Sequence, residues 1–385
     1  MSAATTRIGL STLGTDGGRS GIGRYLLEIL SSWASREVDA EVELFVPRKD
    51  AAAFGSGAGT SLPVPAWTAN PLLSIAWHQW GLPGACRRRN FDVLFLPAAN
   101  RRVSTRAGVP TVGTVHDFSS LHVAGKYDPL RDLYIKRVLP TMVRGLDRVI
   151  TPSEASRKDI VRYAGVPEDR VHVIPNGVDH RRFHPFPEGE AEERVAREMG
   201  IRGPFILYVS RIEHPGKNHL RLIEAFGRMK ERTGLPHRLV LAGPDWTRAE
   251  KVHSAASAST WNDSIDLAGF IPGSMLPYLT AAADLVAFPS LYEGFGIPVL
   301  EAMASGTPVV ASSTSSIPEV GGEAVGYFDP CDVGSMESAM TRVLTDDDLH
   351  RRMAQVGLDR ARGFSWDATA AATMAVLQEC AGEAN

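Results

Sequence analysis

The amino-acid sequence predicts an α/β protein made of two doubly wound domains, each with a parallel sheet covered by helices. Strand-like apolar runs alternate with helical stretches along the whole chain, which is typical of parallel sheets. The chain has 385 residues, more than one hydrophobic core usually holds. The alternation stops at a Pro- and Gly-containing stretch, residues 175–187, and then restarts. We therefore expect one domain over residues 1–180 and a second over residues 188–365.

The first half of the chain carries short runs rich in Val, Ile and Leu that read as strands. They are Ile8–Leu13, Val42–Val46, Val93–Leu96, Pro110–Val115, Val149–Thr151 and Val171–Ile174. Helical patterns lie between them, at Arg24–Trp33, Leu130–Val143 and Glu154–Tyr163. This order predicts the first parallel sheet.

The second half repeats the arrangement. A candidate strand, Phe205–Val209, precedes a helix whose apolar face is formed by Leu220, Ile223, Phe226 and Met229. The further candidate strands are Leu239–Ala242, Ile265–Leu267, Leu285–Phe288 and Val309–Ala311, and helical patterns begin at Val333 and Asp346 and cover Trp366–Cys380. Two such domains that face each other leave a central cleft at the C-terminal ends of their strands, where ligands usually bind.

Composition excludes several classes of protein. The hydrophobic fraction of 44% and charged fraction of 22% are ordinary for a globular protein. No apolar run approaches the ~20 residues of a membrane-spanning helix, and no signal-peptide pattern opens the sequence. Cys86, Cys331 and Cys380 lie far apart, which favours free thiols in a reducing cytoplasm over a disulfide framework or metal site. A pI of about 6.4 without a recognised motif argues against a nucleic-acid partner.

The charge is unevenly distributed between the two halves. Residues 1–180 hold 22 basic and 17 acidic residues, a net +5, whereas the remainder holds 19 and 27, a net −8. Much of the first excess comes from an arginine cluster: Arg87, Arg88, Arg89, Arg101, Arg102 and Arg106. The cluster is either a solvated basic face or a surface for an anionic acceptor or anionic membrane lipids.

The most informative stretch is Ser290–Glu301, which reads Ser-Leu-Tyr-Glu-Gly-Phe-Gly-Ile-Pro-Val-Leu-Glu. A Gly-rich turn that leads into a helix exposes backbone N–H groups to an anion. Glu293 and Glu301 flank this turn and would be out of place unless they bind something else. Carboxylates accept hydrogen bonds from sugar hydroxyls, while N–H groups and cations hold phosphate. The stretch therefore indicates a nucleotide-sugar site, against the alternative of a loop with two exposed acids.

A second polar segment, Ser210–Asn218, lies between the first strand and the first helix of the second half. Its Pro-Gly turn can bring Arg211 and Lys217 toward one point. The planar fork of Arg and the point charge of Lys suit a diphosphate. Surface cations are common, so this interpretation depends on the Glu293–Glu301 stretch.

The first half offers weaker candidates. A Gly-rich loop, residues 14–23, follows the first strand and lacks both the dinucleotide fingerprint and the Walker pattern, so it is either a phosphate loop or a tight turn. His116, at the end of a predicted strand, either faces the cleft or is a structural histidine. The aromatic residues of Trp77–Pro83 either stack on a sugar or pack a helix end. Asp346–Asp348 is interpreted as a solvated acidic helix start, and we expect no metal site.

Together these motifs resemble the retaining glycosyltransferases of family four, with the GT-B fold, and are most similar to the bacterial mannosyltransferase-like group 1 members. The similarity covers nearly the whole chain. Its motifs are Gly21–Tyr25, Val115–Asp117, Ser153, Asn176–Asp179, Arg211 with Lys217, Ala242–Pro244, Ala268–Ile271, Glu293 with Glu301, and Phe364–Trp366. One departure is the bulkier turn Glu213–Gly216 between the two cations.

The resemblance implies a role for each site residue. Arg211 and Lys217 would neutralise the diphosphate, Glu293 would contact the donor sugar or stabilise charge at its anomeric carbon, and Glu301 would bind the ribose. The remaining donor contacts would be backbone N–H groups of Phe295, Gly296 and Ile297, base contacts of Phe270 and Ile271, phosphate contacts of Gly18, and a sugar contact of His116. The last helix, residues 366–385, would return to the first, acceptor-binding domain.

The expected reaction moves a hexose from a nucleoside-diphosphate sugar to a hydroxyl of a glycan, glycolipid or small molecule, with retention and without a metal or other cofactor. The resemblance to mannosyltransferases favours mannose as the sugar and GDP as the nucleotide. Alternatives are a hydrolase or epimerase of the same fold, or a catalytically silent nucleotide-sugar-binding protein; an oxidoreductase is disfavoured because the dinucleotide fingerprint is missing. The expected location is cytoplasmic, with peripheral contact to the inner face of an anionic plasma membrane.

Overall fold

The computed structural model describes residues 5–36, 38–55, 59–123, 125 and 132–383. The chain separates into two units by its internal contacts. Unit 1 holds the described residues up to Leu121, those from 132 to Gly177, and those from Trp366 onward. Unit 2 holds Val178–Ser365 together with His122, Val123 and Gly125. Unit 1 is therefore discontinuous in sequence, and the boundary between the units falls at Gly177–Val178.

Unit 1 contains a sheet of seven parallel strands in the order β3-β2-β1-β4-β5-β6-β7. The strands are β1 (Thr6–Ser11), β2 (Ala40–Pro47), β3 (Thr60–Val64), β4 (Val93–Leu96), β5 (Thr111–Thr114), β6 (Arg148–Thr151) and β7 (Val171–Val173). The chain reverses direction across the sheet between β1 and β4, which is the switch point of a doubly wound fold.

The helices of unit 1 cover both faces of this sheet, as buried parallel strands require. They are α1 (Gly21–Ser35), α2 (Ala51–Phe54), α3 (Pro71–Arg89), α4 (Ser119–His122, which ends at the first residue of unit 2), α5 (Leu139–Arg144) and α6 (Glu154–Asp159). Two π-helical segments, Tyr134–Val138 and Ile160–Ala164, adjoin α5 and α6. Short 3₁₀ turns lie at Asp16–Gly18, Arg48–Asp50, Ala66–Ala69 and Glu168–Arg170.

Unit 2 repeats the doubly wound order in a sheet of six parallel strands, β10-β9-β8-β11-β12-β13. The strands are β8 (Phe205–Val209), β9 (Arg238–Ala242), β10 (Ile265–Gly269), β11 (Leu285–Phe288), β12 (Val309–Ser312) and β13 (Val325–Phe328). The helices are α7 (Glu190–Met199), α8 (His219–Thr233), α9 (Ala249–Ala258), α10 (Leu276–Ala281), α11 (Ile297–Ala304), α12 (Ile317–Gly321), α13 (Val333–Thr345) and α14 (Asp347–Ala361), with 3₁₀ turns at Asn262–Ser264 and Gly322–Ala324.

The last helix, α15 (Trp366–Gly382), belongs to unit 1 and packs on α1. The Ser32 hydroxyl donates to the Asp367 carboxylate at 2.6 Å. The Trp33 indole N–H donates to the Ala370 carbonyl at 3.0 Å, with Trp33 itself only 2% exposed. A segment that is distant in sequence thereby completes the core of unit 1.

The prediction of two doubly wound parallel sheets is confirmed, with differences in detail. The sequence reading did not identify β3, whose Pro63 is tolerated because β3 is an edge strand, nor β13. The predicted helix over 130–143 begins outside the described residues, and from Tyr134 it is π-helical for five residues before α5. None of the helices within the described ranges is long and apolar enough to cross a membrane.

Candidate functional site

In unit 2 the segment between β11 and α11 is held by a row of hydroxyl groups that follows β12. Ser312 donates to the Ser290 carbonyl at 2.7 Å, and Thr314 donates to the Leu291 carbonyl at 3.2 Å. Around Glu293, the backbone N–H donates to the Ser315 hydroxyl at 3.0 Å, and the carbonyl accepts from Ser316 at 2.9 Å. The backbone of the segment is thus fixed from one side, which sets the position of the Glu293 carboxylate. The sequence reading missed this row, although Ser-Ser-Thr-Ser-Ser directly after a strand is a visible signal.

The loop between β8 and α8 is fastened to the same segment. The Tyr208 hydroxyl donates to the Lys217 carbonyl at 2.9 Å and lies 3.0 Å from the Ser290 hydroxyl. Asn218 has a left-handed backbone with φ of 59°, and its side-chain amide donates to the carbonyls of Pro289 and Pro330 at 3.0 and 2.8 Å. These bonds bring the ends of the neighbouring strands β8 and β11 into one rigid site.

Lys217 and Glu293, predicted from separate motifs 76 residues apart, form an ion pair. The Lys217 Nζ lies 2.5 Å from the Glu293 Oε1, and both side chains are less than one-fifth exposed. Burial acts to lower the pKa of Lys217, but the Glu293 carboxylate, together with Tyr208 and Glu213, raises that pKa above its ordinary value. Lys217 is therefore a cation at neutral pH.

Arg211 lies beside a buried acid that the sequence reading did not assign. Its Nη2 is 3.3 Å from the Glu213 carboxylate, and Glu213 is only 4% exposed. The Arg211 guanidinium also sits over the Trp246 ring, 5.0 Å from the centroid. Glu213 adds to the negative potential that raises the pKa of Lys217. The bulkier turn thus supplies a carboxylate that faces both predicted cations.

The N-terminus of α11 adds backbone donors to this site. Gly296 precedes the helix with φ of 103°, a conformation that favours glycine. Among the described residues no acceptor takes the N–H groups of Phe295, Gly296 and Ile297. These N–H groups and the helix dipole give this end of α11 a positive potential. Glu301 lies four residues into the helix and is buried.

The residues predicted to meet the base follow β10. Phe270 is 71% exposed and Ile271 is half-buried. Both line a cavity of about 760 Å³ along the outer edge of β10 and the end of α7. Gly243 directly follows the adjacent strand β9, and its N–H donates to the Gly269 carbonyl at 2.8 Å. A Cβ at Gly243 would lie 1.9 Å from the Ser210 carbonyl oxygen, so this close approach of two backbones requires glycine.

In unit 1 the Gly-rich loop is a tight structural turn. Gly18 has φ of +84° and ends a 3₁₀ turn just before the N-cap Ser20 of α1. A Cβ at Gly23 would lie 2.5 Å from the Thr15 carbonyl oxygen. The loop is clamped by Arg101, which donates to the Gly14 carbonyl at 2.9 Å and to the Asp16 carboxylate at 2.6 Å. The sequence reading did not identify this role of Arg101.

His116 follows β5 and is 9% exposed. Its Nε2 donates to the Pro97 carbonyl at 2.9 Å, which leaves Nδ1 as the acceptor of the neutral ring. Burial lowers the pKa of His116 to about 4, against the opposing effect of the Pro97 carbonyl. The Tyr25 ring meets the imidazole edge-on with centroids 4.8 Å apart. His116 is therefore a neutral, oriented hydrogen-bonding group.

The structure brings Lys217, Glu293 and, through Glu213, Arg211 together in unit 2, near the N-terminus of α11 and its Glu301. Gly18 and His116 lie in unit 1. The described part of the chain contains no group of three or more His, Cys, Asp and Glu side chains placed to hold a metal ion.

Comparisons with known proteins identify the family of the chain. Residues 19–182 match the family Glycosyltransferase Family 4, and residues 191–360 match Glycosyl transferases group 1. The O-antigen chain mannosyltransferase B of Escherichia coli is 28% identical over 365 residues, which is 90% of this chain and 93% of the relative. The alpha-maltose-1-phosphate synthase of Mycolicibacterium smegmatis is 30% identical over 302 residues, 73% of this chain and 76% of the relative.

Solved structures share the fold at low sequence identity. Anabaena HepE in complex with UDP and glucose has a TM-score of 0.75 and 19% identity, over 97% of this chain and 100% of that one. WaaG, a glycosyltransferase involved in lipopolysaccharide biosynthesis, has a TM-score of 0.72 and 17% identity, over 96% and 99%. With two Rossmann-like units of the GT-B fold, the chain belongs to the group 1 glycosyltransferases and is a transferase related to family four.

Proposed function

We propose that this glycosyltransferase moves a hexose from a nucleoside-diphosphate sugar to an acceptor hydroxyl, with retention at the anomeric carbon and without a metal ion. The observation that carries the proposal is the buried Lys217–Glu293 ion pair beside the N-terminus of α11. This pair places a cation and a carboxylate at 2.5 Å, next to unpartnered backbone N–H groups. A diphosphate joined to a sugar presents negative charge and hydroxyl groups at a similarly short separation.

The positive groups would stabilise the leaving diphosphate. The Lys217 ammonium has three N–H groups and donates one to Glu293, so the other two can reach phosphate oxygens. Arg211 is 36% exposed at its side chain and can offer its fork on the side away from Glu213. Together with the N–H groups at α11, these cations form a preorganised field at the point where negative charge develops. This field supports transfer without a metal, because it neutralises the charge that a divalent cation would otherwise meet.

The Glu293 carboxylate would serve the sugar side of the bond. As the bond between the sugar and the phosphate breaks, positive charge grows at the anomeric carbon, and a nearby carboxylate stabilises it or accepts hydroxyl hydrogen bonds. The acceptor oxygen then forms the new bond on the same face, and its proton passes to the departing phosphate oxygen. This same-face route needs no second carboxylate as a covalent nucleophile.

The remaining assignments follow the predicted motifs. Glu301 would bind the ribose hydroxyls, and Phe270 and Ile271 would meet the base next to the cavity along β10. For the residues of unit 1, contact of His116 with the sugar and of Gly18 with phosphate stay predictions. Several relatives are mannosyltransferases by name, which supports mannose as the sugar. GDP is proposed as the nucleotide on the sequence resemblance alone. The proposed acceptor is a glycan, a lipid-linked sugar or a small molecule, with peripheral contact to an anionic membrane.

The test is a binding and turnover panel. Purified protein is mixed with GDP-, UDP-, ADP- and dTDP-sugars in excess chelator without acceptor. We expect tight binding and slow hydrolysis of one donor, GDP-mannose, with a rate that the chelator does not change. Once an acceptor is found, the anomeric coupling constant of the product should show retention.

Each other outcome has a defined meaning. Binding of a donor with turnover that stops in chelator would contradict metal independence. Fast hydrolysis that no acceptor accelerates would favour a hydrolase, and binding of no donor would overturn the assignment of the Lys217–Glu293 site.

A further inference from the structure

Unit 1 exposes a group of large apolar side chains on α3 and on the 3₁₀ turn before it. They are Trp67 at 49% exposure, Leu72 at 76%, Leu73 at 46% and Trp80 at 70%; this set is called the α3 face. Four large apolar groups so close in the fold differ from the isolated exposed side chains of an ordinary surface.

The spacing of these residues puts them on one side of the helix. Leu72 and Trp80 are eight residues apart, and Leu73 and Trp80 seven, which places all three on one side of an α-helix. The opposite side of α3 is buried and includes Ser74 and His78, 2% and 0% exposed. His78 donates from Nδ1 to the Ser74 carbonyl at 2.7 Å and accepts from the Ser11 hydroxyl at 3.0 Å. The helix is thus anchored by its buried side, and the α3 face is exposed to solvent.

Unpaired arginines border the α3 face. Arg87 and Arg88 end the helix and Arg106 lies in a following loop; all three are exposed and have no acidic partner among the described residues. The Arg88 Nη1 lies 3.6 Å from the Cβ position of Gly84, so the guanidinium lies against the preceding turn of the helix. The Arg87 side chain reaches the Gly108 turn, two residues from Arg106.

The other arginines of the same cluster are already used within unit 1. Arg89 pairs with Glu43 at 2.7 Å, and Arg101 pairs with Asp16 at 2.6 Å. Arg102 donates to the Ser74 hydroxyl at 2.8 Å. The free positive charge is therefore concentrated at the end of α3, beside the exposed apolar side chains.

We propose that the α3 face docks on the surface of an anionic lipid bilayer, with Leu72, Leu73 and the two Trp side chains in the interface and the arginines on lipid phosphates. Apolar groups with Trp on one side of a helix and Arg at its end are the composition of interfacial helices. Arginines near an anionic leaflet add to the binding. This proposal specifies which surface makes the membrane contact that is part of the proposed function. It rests on the proposed function for the expectation of a lipid-linked acceptor.

Charge favours an anionic bilayer over a second copy of the chain as the partner of the α3 face. A second α3 face would offer Arg87 and Arg88 no opposite charge, because the sequence of α3, Pro71–Arg89, contains no Asp or Glu. A bilayer with anionic headgroups offers the opposite charge at the same depth as the apolar contact.

The test is co-sedimentation of the full-length protein with vesicles of phosphatidylglycerol and phosphatidylcholine in equal parts, and with vesicles of phosphatidylcholine alone. We expect binding to the first kind and at least about tenfold weaker binding to the second. The double variants Leu72→Gln/Trp80→Gln and Arg87→Ser/Arg88→Ser should each bind the anionic vesicles at least about tenfold more weakly than the original protein. Trp80→Phe should keep the binding and reduce quenching of Trp fluorescence by brominated lipid.

Matched controls lie on unit 2. Val356→Gln and Arg351→Ser/Arg352→Ser remove an exposed apolar side chain and two exposed arginines from α14, and they should bind as the original protein does. Circular dichroism and donor binding in solution should be unchanged in every variant, which separates this proposal from that of the donor site. The membrane-docking proposal would be overturned by equal binding to neutral vesicles or by unchanged binding of the α3 variants. A dimer in solution that Leu72→Gln/Trp80→Gln dissociates would also overturn it.

Discussion

The strand ends of the two units carry opposite kinds of polar chemistry. In unit 2, Lys217 and Glu293 form a buried pair, and Glu213 faces Arg211. In unit 1, the strand end after β5 holds His116, which is neutral because burial lowers its pKa to about 4. Tyr25, whose ring contacts His116, is uncharged as well, and its hydroxyl lies 3.1 Å from the Thr114 hydroxyl. Asp117 and Arg101 shift the pKa of His116 in opposite directions. The buried ion pair thus lies in the unit whose motifs predict diphosphate binding, while His116 and Tyr25 of unit 1 are neutral hydrogen-bonding groups of the kind that suit sugar hydroxyls.

The largest expected effect comes from removing the cation of unit 2. Lys217→Ala takes away a positive charge and leaves the Glu293 carboxylate without its partner. We expect kcat/KM to fall about 10³-fold, equivalent to ~4 kcal/mol of transition-state stabilisation. Steady-state kinetics with the preferred donor measure this. Lys251→Ala, an exposed lysine on α9, is the matched control and should stay within about twofold; full activity of Lys217→Ala would show that unit 2 does not use this charge.

Backbone packing at the strand ends gives the next effect. Gly243→Ala would put a Cβ 1.9 Å from the Ser210 carbonyl oxygen, and neither backbone can move without disturbing β8 or β9. We expect a loss of about 3–5 kcal/mol in the stability of unit 2, measured by chemical denaturation.

A nearby glycine provides the comparison for this variant. Gly269 has φ of +66°, but no atom lies within 4 Å of its Cβ position. Gly269→Ala should therefore cost only about 1–2 kcal/mol, the conformational penalty alone. In unit 1, Gly23→Ala should behave like Gly243→Ala, because its Cβ would meet the Thr15 carbonyl at 2.5 Å. Equal stability losses for the Gly243 and Gly269 variants would show that the close approach does not matter.

Glu293→Gln separates charge from shape in the same pair. The amide keeps the size of the side chain and leaves Lys217 cationic. Donor affinity should stay within about threefold, since the diphosphate still meets Lys217, whereas kcat should fall about 10²-fold because the carboxylate no longer stabilises the reacting sugar. Single-turnover kinetics and isothermal titration distinguish the two quantities. A rise in KM with unchanged kcat would assign Glu293 to donor binding alone.

The last effect is on stability at acid pH. Burial lowers the pKa of His78 and of His116 to about 4 in unit 1. Between pH 6.5 and 4 the unfolded chain binds protons that the folded unit does not, so these histidines stabilise unit 1 above pH 6.5 and lose that contribution as the pH falls toward 4. Chemical denaturation across this pH range should show that the free energy of unfolding falls by a few kcal/mol. The fall per pH unit should be smaller in His116→Asn. The same slope in both proteins would contradict a neutral His116 in the folded state.

Much of the fold was predictable because its signals are local. Alternating apolar runs identified eleven of the thirteen strands in the described part of the chain, and the missing β3 and β13 contain a Pro or Gly that weakens the strand pattern. The site was predictable where a residue type implies its chemistry, as for Lys217 and Glu293, whose pairing across 76 residues the structure then shows.

The supporting contacts were not predictable from the sequence, since they depend on which segments meet in space. Glu213 had no motif that would relate it to Arg211, and Arg101 appeared only as one basic residue among several. The hydroxyl row from Ser312 to Ser316 was readable as a composition, but its partners on the Glu293 segment become known only from the sheet order.

The discontinuity of unit 1 also has a consequence for synthesis of the chain. Trp33 is covered by α15, whose residues follow those of unit 2 in the sequence, so unit 1 has an incomplete core until α15 has been synthesised. The main body of unit 2, Val178–Ser365, is contiguous and is fully synthesised before α15 exists. The half that is encoded second can therefore mature first, in contrast to the usual order of domain folding on the ribosome. A premature stop anywhere before residue 366 would then release a protein with a complete second sheet and an unfinished first one.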